Sequence, residues 1–323
     1  MVWSFCSSII TILGVLEYGF IPHEAMTAVK INKLFKSYSG KPAVQDLSFS
    51  VNSGELFGLI GPNGAGKSTT IKILLDFLKP DSGSVSIYGK TMNELLKNNI
   101  GYLPEEKGLY KRLTAIDQIL YFASLKGVDP STARERADSL LQQTGMLESK
   151  QKKIKDMSKG MGQIIQFIVT VIHDPQLIIL DEPFSGLDPV NTEMMKNFIA
   201  QLRDEGKAVI LSTHQMNQVE ELCDRVLMIN HGREVLHGGL QEIKSEFKEH
   251  SVRIDVKGEP GNLQGVINKK LTNGYIELAL SPDTSPQSIL DQLHGKGLTI
   301  HHFEIIKPSL HEIFLHLAGK NHE

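Results

Sequence analysis

The sequence predicts an α/β protein made of one large domain and a small α+β domain at the C-terminal end. In the large domain, residues 55–60 form an apolar strand that leads through a glycine-rich loop into a helical pattern at 71–80. Residues 177–180 are four consecutive apolar residues, which is typical of a strand buried on both faces of a parallel sheet. From about residue 251 onward, strand-like runs alternate with two helical patterns. A chain of 323 residues that is 41% hydrophobic and 22% charged is sufficient for both domains.

The bulk composition argues against several classes of protein. Lys and Arg number 34 and Asp and Glu number 37, so the net charge of −3 shows no basic excess and predicts no nucleic-acid partner. The two cysteines, Cys6 and Cys223, lie far apart and match no metal-ligand or redox spacing. This pattern favours a reducing compartment over a disulfide framework.

Residues 1–25 are apolar but match no targeting signal. They contain no Lys or Arg, and Glu17 interrupts the apolar run, whereas a signal peptide begins with basic residues and a spanning helix needs about 20 apolar residues. We interpret residues 1–26 as an N-terminal extension, in which Met26 is the natural start and the residues upstream of it are not native; a weak membrane anchor is the alternative. No other run reaches spanning length, so the chain is not expected to form a pore by itself.

A phosphate-binding loop follows the strand of residues 55–60. Residues 61–70 read GPNGAGKSTT, in which Gly61, Gly66, Lys67 and Ser68 have the G-x-x-x-x-G-K-[ST] spacing of a P-loop. Glycines let backbone N–H groups converge on phosphate oxygens, and the helix N-terminus adds partial positive charge. Lys67 can reach the β- and γ-phosphates and Ser68 can ligate Mg²⁺; the alternative is a chance glycine turn. The predicted nucleotide-binding residues of the loop are Gly61, Pro62, Asn63, Gly64, Ala65, Gly66, Lys67, Ser68 and Thr69.

An acidic pair follows the buried strand of residues 177–180. Strands of a parallel sheet deliver functional side chains at their C-terminal ends, where Asp181 and Glu182 stand. We predict that Asp181 ligates Mg²⁺ and that Glu182 acts on the attacking water, with Lys67 as a further catalytic residue. An ordinary acidic strand terminus is the alternative.

Three further motifs occur in order around this acidic pair. MSKGMGQ precedes the strand, SGLD follows it, and STH, which ends at His214, closes the next apolar strand. With the P-loop, this succession resembles the nucleotide-binding subunit of an ATP-binding-cassette (ABC) transporter over about residues 28–239. The resemblance implies a P-loop NTPase cassette with a mostly parallel sheet core, an antiparallel β-subdomain and a helical subdomain. Local patterns agree with these parts, with strand signals at 29–60 and 83–89 and helix periods at 115–145 and 161–172.

The family resemblance also implies a site shared between two subunits. Two cassettes would meet head to tail around two ATP molecules, with Ser158 and Gly160 of one subunit facing the γ-phosphate held by Lys67 of the other. A serine hydroxyl and helix N-terminal amides suit that anion. Asp188 would also bind ATP, and His214 would contact the γ-phosphate as a further catalytic residue, although a satisfied strand-end histidine is the alternative. Closure would then depend on ATP, and hydrolysis would release it.

Two details of the resemblance are less regular. Tyr38 lies 23 positions before Gly61, similar to the family aromatic that stacks on adenine, although a lone tyrosine in a strand is more often a packing residue. The signature differs from the common LSGGQ, because Lys159 and Met161 replace glycine and glutamine. Gly162 in the first helical turn costs up to about 1 kcal/mol relative to alanine. Because Ser158 and Gly160 are retained, we expect the signature motif to function; weakened ATPase activity is the alternative.

The run GYLPEEKGLY, together with MSKGM and EPFSGLDPVN, resembles the ABC-2-type branch of bacterial exporters, which is sodium- or drug-efflux-like. In many members of that branch a glutamate occupies the site where glutamine is usual, and here Glu105 stands there. Its carboxylate can join Ser68 and Asp181 as a Mg²⁺ ligand or position water. The implied partners are ATP, an integral membrane permease subunit, and a second copy of this chain or a paralogous ATP-binding subunit. The resemblance places such a subunit peripherally on the cytoplasmic face of the cell membrane.

Two other functions remain open. Soluble cassette proteins that act on ribosomes or DNA usually carry paired cassettes or long coiled-coil insertions, and this sequence has neither. A nucleotide-sensing regulatory cassette with low turnover is favoured by the altered signature but opposed by Lys67, Asp181, Glu182 and His214. The leading hypothesis is an ATPase that energises a separate exporter permease, whose transported substrate the cassette does not specify.

Residues 241–323 are predicted as an accessory α+β domain that follows an ATP-binding domain over residues 27–240. A helical linker opens this segment, and the strand-like runs are 251–256, 274–280 and 298–306. The module resembles the C-terminal extension common in the exporter branch, and its pattern indicates packing or regulation.

Capping signals mark the two helices of the small domain. Ser285 is the predicted N-cap of the first, with Pro286 at its first position. The second helix is expected to begin with a capping box of Ser309 and Glu312 and to end at Gly319. His301 and His302 would point to opposite faces of a strand, so they predict no metal site.

Overall fold

The structure is a computed structural model and describes residues 26–106, 108–246, 251–272, 274–281, 283–306 and 309–320. The interpretation of the N-terminal segment as an extension concerns residues that, apart from Met26, lie outside these ranges. Cys6 lies there as well.

The large domain contains nine described strands, eight described α-helices and two described 3-10 helices between residues 27 and 246. The strands are β1 (Thr27–Tyr38), β2 (Lys41–Asn52), β3 (Leu56–Ile60), β4 (Ser82–Ile87), β5 (Ile100–Leu103), β6 (Leu177–Asp181), β7 (Ala208–Thr213), β8 (Arg225–Asn230) and β9 (Arg233–Gly239). The helices are α1 (Lys67–Leu74), α2 (Glu94–Asn98), α3 (Ala115–Leu125), α4 (Pro130–Gln143), α5 (Lys159–Val171), α6 (Pro189–Asp204), α7 (Met216–Leu222) and α8 (Leu240–Glu246).

A six-stranded sheet forms the centre of this domain, with strand order β5-β6-β7-β3-β8-β9. Its first five strands pair in parallel, and β9 runs antiparallel to β8. A separate antiparallel sheet has the order β2-β1-β4. The predicted α/β fold with a mostly parallel core and an antiparallel subdomain is therefore confirmed.

Alternate residues of the central strands face two different cores. In β6, Ile178 and Leu180 pack into a core with the helices α3, α4 and α5, whereas Leu177 and Ile179 pack into a core with the antiparallel sheet. All five residues of β6 are buried, as predicted for a strand covered on both faces. This double burial fixes the C-terminal end of β6, and with it Asp181, between β5 and β7 at the C-terminal edge of the parallel strands.

Two helical predictions need correction or refinement. The pattern at 71–80 predicted a helix, but α1 ends at Leu74, because Asp76 adopts φ +61° and the amides of Phe77 and Leu78 bond back to the Lys72 carbonyl. The helical stretch at 115–145 is broken into α3 and α4. Gly127 at φ +73° ends the first helix, and Asp129 caps the second.

The small domain contains a four-stranded antiparallel sheet with strand order β11-β12-β10-β13. Its elements are β10 (Ser251–Lys257), β11 (Val266–Thr272), β12 (Tyr275–Leu280), α9 (Pro286–Gly295), β13 (Thr299–Ile306) and α10 (Leu310–Lys320). The predicted strands are confirmed, but β11 was missed, because Asn268, Lys269 and Lys270 interrupt its apolar alternation.

The predicted helix caps of the small domain are present. Ser285 accepts a hydrogen bond from the amide of Ser288 at 3.2 Å. Ser309 and Glu312 exchange reciprocal side-chain to backbone bonds of 2.8 and 3.2 Å, which is a capping box. α10 continues one residue beyond the expected Gly319. The helices of the described ranges all fall short of the length and apolarity needed to cross a bilayer.

Candidate active site

A cleft of about 270 Å³ opens over the loop between β3 and α1. It receives side chains or backbone from the P-loop, from the β1–β2 hairpin and from the ends of β5 and β6. The lining residues are Ala43, Asn63, Gly64, Ala65, Gly66, Lys67, Ser68, Thr69, Glu105, Asp181 and Glu182. All predicted P-loop residues except Gly61 and Pro62 therefore line one cavity, together with three predicted carboxylates.

Close backbone contacts explain two of the loop glycines. A Cβ atom on Gly61 would lie 2.2 Å from the Ile229 carbonyl oxygen, and one on Gly66 would lie 2.4 Å from the Ala43 carbonyl oxygen. Gly66 also has φ +113°, which side chains rarely tolerate. These contacts hold the loop between β8 and the β1–β2 hairpin, at the N-terminus of α1.

Lys67 lies inside the curve of the loop. Its Nζ donates to the carbonyl oxygens of Gly61 at 2.7 Å and Pro62 at 3.2 Å. Burial lowers the pKa of Lys67, and the nearby carboxylates of Glu182 and Asp181 partly offset that shift. An ammonium that donates to neutral carbonyls in a cleft is well placed to exchange them for phosphate oxygens.

Asp181 is held by two hydroxyls at the end of β6. Ser212 donates to its Oδ1 at 2.7 Å, and Ser68 lies 3.5 Å from its Oδ2. Burial raises the pKa of Asp181, and the negative charges of Glu105 and Glu182 raise it further. A divalent cation would relieve this crowding of negative charge.

The oxygen donors of Ser68, Asp181 and Glu105 fit Mg²⁺, which prefers hard oxygen ligands. Among the described residues, no group of three or more His, Cys, Asp or Glu side chains is arranged to hold a metal. Mg²⁺ in nucleotide sites is usually bound through one or two carboxylates, while phosphates and water complete its coordination.

Glu182 sits at the end of β6 in an uncommon backbone conformation, with φ +50°. Its Oε2 accepts from the Thr213 hydroxyl at 3.0 Å, and its Oε1 accepts from the His214 amide at 2.9 Å. The imidazole Nδ1 of His214 lies 2.6 Å from the same Oε1. The structure thus brings the predicted catalytic residues Glu182 and His214 into direct contact, beside the cleft that contains Lys67.

Helix α5 is bonded to both sides of the cleft. Gln163 donates to the Pro183 carbonyl at 3.0 Å, and Gln166 donates to the Pro104 carbonyl at 2.9 Å. The two bonds connect the helix to the segments that carry Glu182 and Glu105.

Sequence reasoning missed four polar residues that hold the site: Gln163, Gln166, Ser212 and Thr213. The two glutamines interrupt the apolar side of a helical pattern, and Ser212 and Thr213 directly precede His214. Polar residues at positions that the pattern reserves for the core were the available signal.

The predicted signature residues lie outside the cleft lining. Ser158 caps α5 by accepting from the Met161 amide at 3.1 Å, and Asp188 caps α6 by accepting from the Asn191 amide at 2.9 Å. A Cβ on Gly160 would lie 3.1 Å from the Gly186 carbonyl oxygen. Ser158, Gly160 and the loop before Asp188 therefore form one continuous surface, which we call the signature surface.

Tyr38 also lies outside the cleft lining. Its side chain is 46% exposed, and the Lys36 ammonium lies 6.0 Å from its ring centroid. Adenine stacking by Tyr38 stays a prediction.

A P-loop over a parallel sheet, an acidic pair on the neighbouring strand and a capped signature helix together define an ATP-binding cassette. The family model for ABC transporters matches residues 44–185. A second model, described as ATP-binding protein DrrA1-3-like, C-terminal domain, matches residues 238–318.

Named relatives and a solved structure agree with this class. The chain is 39% identical to the ABC transporter ATP-binding protein YhaQ of Bacillus subtilis over 296 residues, which cover 91% of this chain and 99% of the relative. It is 33% identical to the Nod factor export ATP-binding protein I of Mesorhizobium japonicum, over 94% of this chain and 90% of the relative. A solved ATP-binding subunit of an ABC transporter superposes with a TM-score of 0.64 at 30% identity, over 68% of this chain and 93% of that one.

The chain therefore belongs to the family of ABC transporter ATP-binding proteins, and the predicted resemblance is confirmed. ATP hydrolysis with a divalent metal is the general reaction of this family.

Proposed function

We propose that this protein is the ATP-hydrolysing subunit of an exporter and that it energises a separate membrane permease through ATP-dependent dimerisation. The observation that carries the proposal is the separation of the cleft from the signature surface. Ser158, Gly160 and Asp188 belong to none of the cleft walls, yet Ser158 and Gly160 lie at the N-terminus of α5, where backbone amides suit an anion. A second cassette, turned head to tail, would bring its signature surface to the phosphates held in this cleft.

In this proposal, ATP binds with its phosphates along residues 61–69. Lys67 exchanges the Gly61 and Pro62 carbonyls for the β- and γ-phosphates. Ser68, Asp181 and Glu105 would hold Mg²⁺, which when bound neutralises phosphate charge. Tyr38 would stack on adenine.

Glu182 is proposed as the residue that positions the attacking water and takes its proton. The water oxygen forms a bond to the γ-phosphorus while the bond to the β–γ bridging oxygen breaks, and ADP leaves with that electron pair. Thr213 and the His214 amide hold the carboxylate in place. The His214 imidazole would turn from Glu182 to the γ-phosphate when nucleotide binds.

Closure of the dimer on ATP and its release after hydrolysis would supply the permease with two conformations. The relative named for Nod factor export supports the exporter assignment. We propose a peripheral position on the cytoplasmic face of the membrane, where either a second copy of this chain or a paralogous ATP-binding subunit completes the dimer.

The substitution Glu182→Gln tests this function. It should lower ATP turnover by about 100-fold or more while ATP binding is retained, because the proton acceptor is lost and the phosphate loop is intact. With Mg-ATP the variant should elute as a dimer in size-exclusion chromatography. Glu148→Gln, which changes an exposed carboxylate of the helical subdomain, is the matched control.

Two results would count against the proposal. Wild-type turnover in Glu182→Gln would remove this residue from its role. A wild-type chain that binds ATP without measurable hydrolysis would favour the nucleotide-sensing cassette, for which the altered signature residues Lys159 and Met161 are the supporting observation. Co-purification with an integral membrane protein separates a transport subunit from a soluble cassette.

A further inference from the structure

The last helix of the small domain is anchored on the large domain. Leu310 and Ile313 of α10 are at most 1% exposed and belong to the same apolar core as Val219 of α7. The other helix of the small domain, α9, contributes Ile289 and Leu293 to the core of the four-stranded sheet. α10 therefore connects the small domain mechanically to the large one.

Glu220 of α7 bonds to two elements of the C-terminal part of the chain. Its Oε1 accepts a hydrogen bond from the backbone amide of Leu310, in the first turn of α10. Its Oε2 pairs with the Lys244 ammonium of α8 at 2.6 Å, and both side chains are 19% exposed. A carboxylate at a helix N-terminus satisfies a free amide and meets the positive end of the helix dipole.

α7 depends on such contacts for its position. It has seven residues, which is too short for a helix that is stable alone, and no side chain caps its N-terminus. On its inner side Val219 packs on β3, where a Cβ on Gly58 would lie 2.9 Å from the valine Cγ1. On its other side it meets α10 and, through Glu220, the Lys244 ammonium.

A short series of hydrogen bonds leads from α7 to the proposed catalytic carboxylate. The amide of Gln215, which precedes α7, donates to the Thr213 hydroxyl at 3.1 Å. The same hydroxyl donates to Glu182 at 3.0 Å, and His214 bonds to the other oxygen of Glu182. A shift of α7 would therefore move the groups that hold Glu182.

We propose that Glu220 is a positioning residue for ATP hydrolysis, through which α10 holds α7 and thereby keeps Thr213 and His214 aligned on Glu182. This inference rests on the proposed roles of Glu182 and His214. It predicts that a displacement of the C-terminal domain changes the hydrolysis step more than ATP binding. The P-loop is held by Ala43 and Ile229 on other elements, so its geometry does not depend on Glu220.

The test uses the full chain with Glu220→Ala, Glu220→Gln and a matched control, Glu221→Gln. Glu221 is the next residue of the same helix and pairs instead with Lys196 of α6. Glu220→Ala should lower kcat by about 3- to 10-fold, with ATP affinity unchanged. Glu220→Gln keeps an oxygen acceptor for the Leu310 amide and should recover part of this loss, while Glu221→Gln should behave like wild type.

Amide hydrogen exchange over residues 213–222 is the second readout, because it reports the opening of α7 without turnover. Exchange should accelerate in Glu220→Ala and stay unchanged in Glu221→Gln. If Glu220→Ala does not fold, Lys244→Met removes the ion pair while leaving the α10 cap, and it should produce a smaller loss of kcat in the same direction.

Unchanged kcat and exchange in Glu220→Ala would overturn the inference, as would an equal loss in Glu221→Gln or a loss confined to ATP affinity. These results leave the proposed function intact as long as Glu182→Gln abolishes turnover in the same assay. A wild-type chain without ATPase activity would overturn the catalytic part of both proposals, and hydrogen exchange would still decide whether Glu220 holds α7.

Discussion

The cleft and the signature surface carry similar chemistry but differ in how complete they are within one chain. The cleft encloses about 270 Å³ and is lined by a buried lysine, two hydroxyl-bearing residues and three carboxylates. On the signature surface, Ser158 and Asp188 each cap their own helix, and neither lines the cleft. One region is a pocket, and the other consists of two helix N-termini that line no part of that pocket.

This difference indicates what each region can do alone. A concave site with a buried cation can bind a polyphosphate without a partner, because the cation has already lost most of its hydration. An exposed helix end needs a second surface to exclude water before its amides interact strongly with an anion. We therefore expect variants in the cleft to affect nucleotide binding, and variants on the signature surface to affect assembly and turnover.

The largest effect should come from Lys67→Ala in the cleft. Loss of the Lys67 ammonium from the cleft should weaken ATP binding by about 100-fold or more, since a charge-assisted contact to phosphate is lost and the carboxylates of Asp181 and Glu182 are left uncompensated. Lys72→Ala, an exposed lysine of the same helix, is the control. Calorimetric titration measures the ATP affinity of both variants. If the two affinities are equal, the cleft does not bind ATP through Lys67, and the contrast between the cleft and the signature surface is wrong.

The next effect concerns Ser158→Ala on the signature surface. Loss of the helix cap should lower the free energy of unfolding by about 1 kcal/mol. In the Glu182→Gln background it should also weaken ATP-dependent dimerisation by about 10-fold, while ATP affinity of the monomer is retained.

Ser285→Ala is the matched control, since Ser285 caps α9 with the same geometry in the small domain. Thermal melts and size-exclusion chromatography with Mg-ATP compare the two variants. If both lose stability and neither loses dimerisation, Ser158 is only a cap, and the signature surface needs another explanation.

A smaller effect is expected for Glu105→Gln, again in the Glu182→Gln background. A carboxylate about 4 Å from a phosphate repels it by up to about 4 kcal/mol at an effective dielectric of 20. A divalent cation bound between them attracts both groups, so the net effect of the carboxylate on ATP binding becomes favourable. Because Glu105 is exposed at the cleft rim, we expect only a several-fold change. The variant should bind ATP better than its parent in EDTA and gain less affinity on addition of Mg²⁺.

Glu106→Gln, the exposed neighbouring carboxylate outside the cleft lining, is the control for charge alone. ATP titrations with and without Mg²⁺ provide the comparison. An identical Mg²⁺-induced gain in all three proteins would show that Glu105 does not sense the metal, and a contact to the permease would then explain its carboxylate better.

The smallest expected effect is a loss of stability at acidic pH, caused by His173, which lies outside both the cleft and the signature surface. Variants of the two regions should therefore be compared near pH 7. Burial, with Lys126 nearby, lowers the pKa of His173 to about 4, although Asp174 and the bond to the Ile100 carbonyl oppose the shift. The unfolded chain takes up this proton near pH 6.5, so stability should fall as pH drops from 6.5 towards 4.

With allowance for partial solvent screening, the loss should be about 1 kcal/mol at pH 5. Urea denaturation at pH 7 and pH 5 measures it. His173→Gln should reduce this dependence, whereas His294→Gln, at an exposed position of α9, should retain it. An unchanged slope in His173→Gln would assign the acid sensitivity to other groups.

Much of the fold and half of the site could be predicted from the sequence, because the relevant information is local. The P-loop is nine consecutive residues between a strand and a helix, β6 is a continuous apolar run, and the box of Ser309 and Glu312 spans four residues. Each of these follows from steric freedom, strand burial or helix capping over a few positions. The same local reasoning failed for β11, whose central lysines hide the alternation, and for the end of α1, where Asp76 takes a left-handed conformation.

The residues proposed to carry the chemistry could be predicted from short sequence motifs, whereas the residues that hold them in place become apparent only in the folded chain. Ser212 meets Asp181 across 31 positions, and Glu220 meets Leu310 across 90. Apolar periodicity predicts that α10 has a buried face, yet it does not say which core receives that face. Which core receives this face depends on the packing of elements that are distant in sequence, because the hydrophobic effect is non-directional. In the folded chain, α10 packs against α7, which follows His214 closely in sequence.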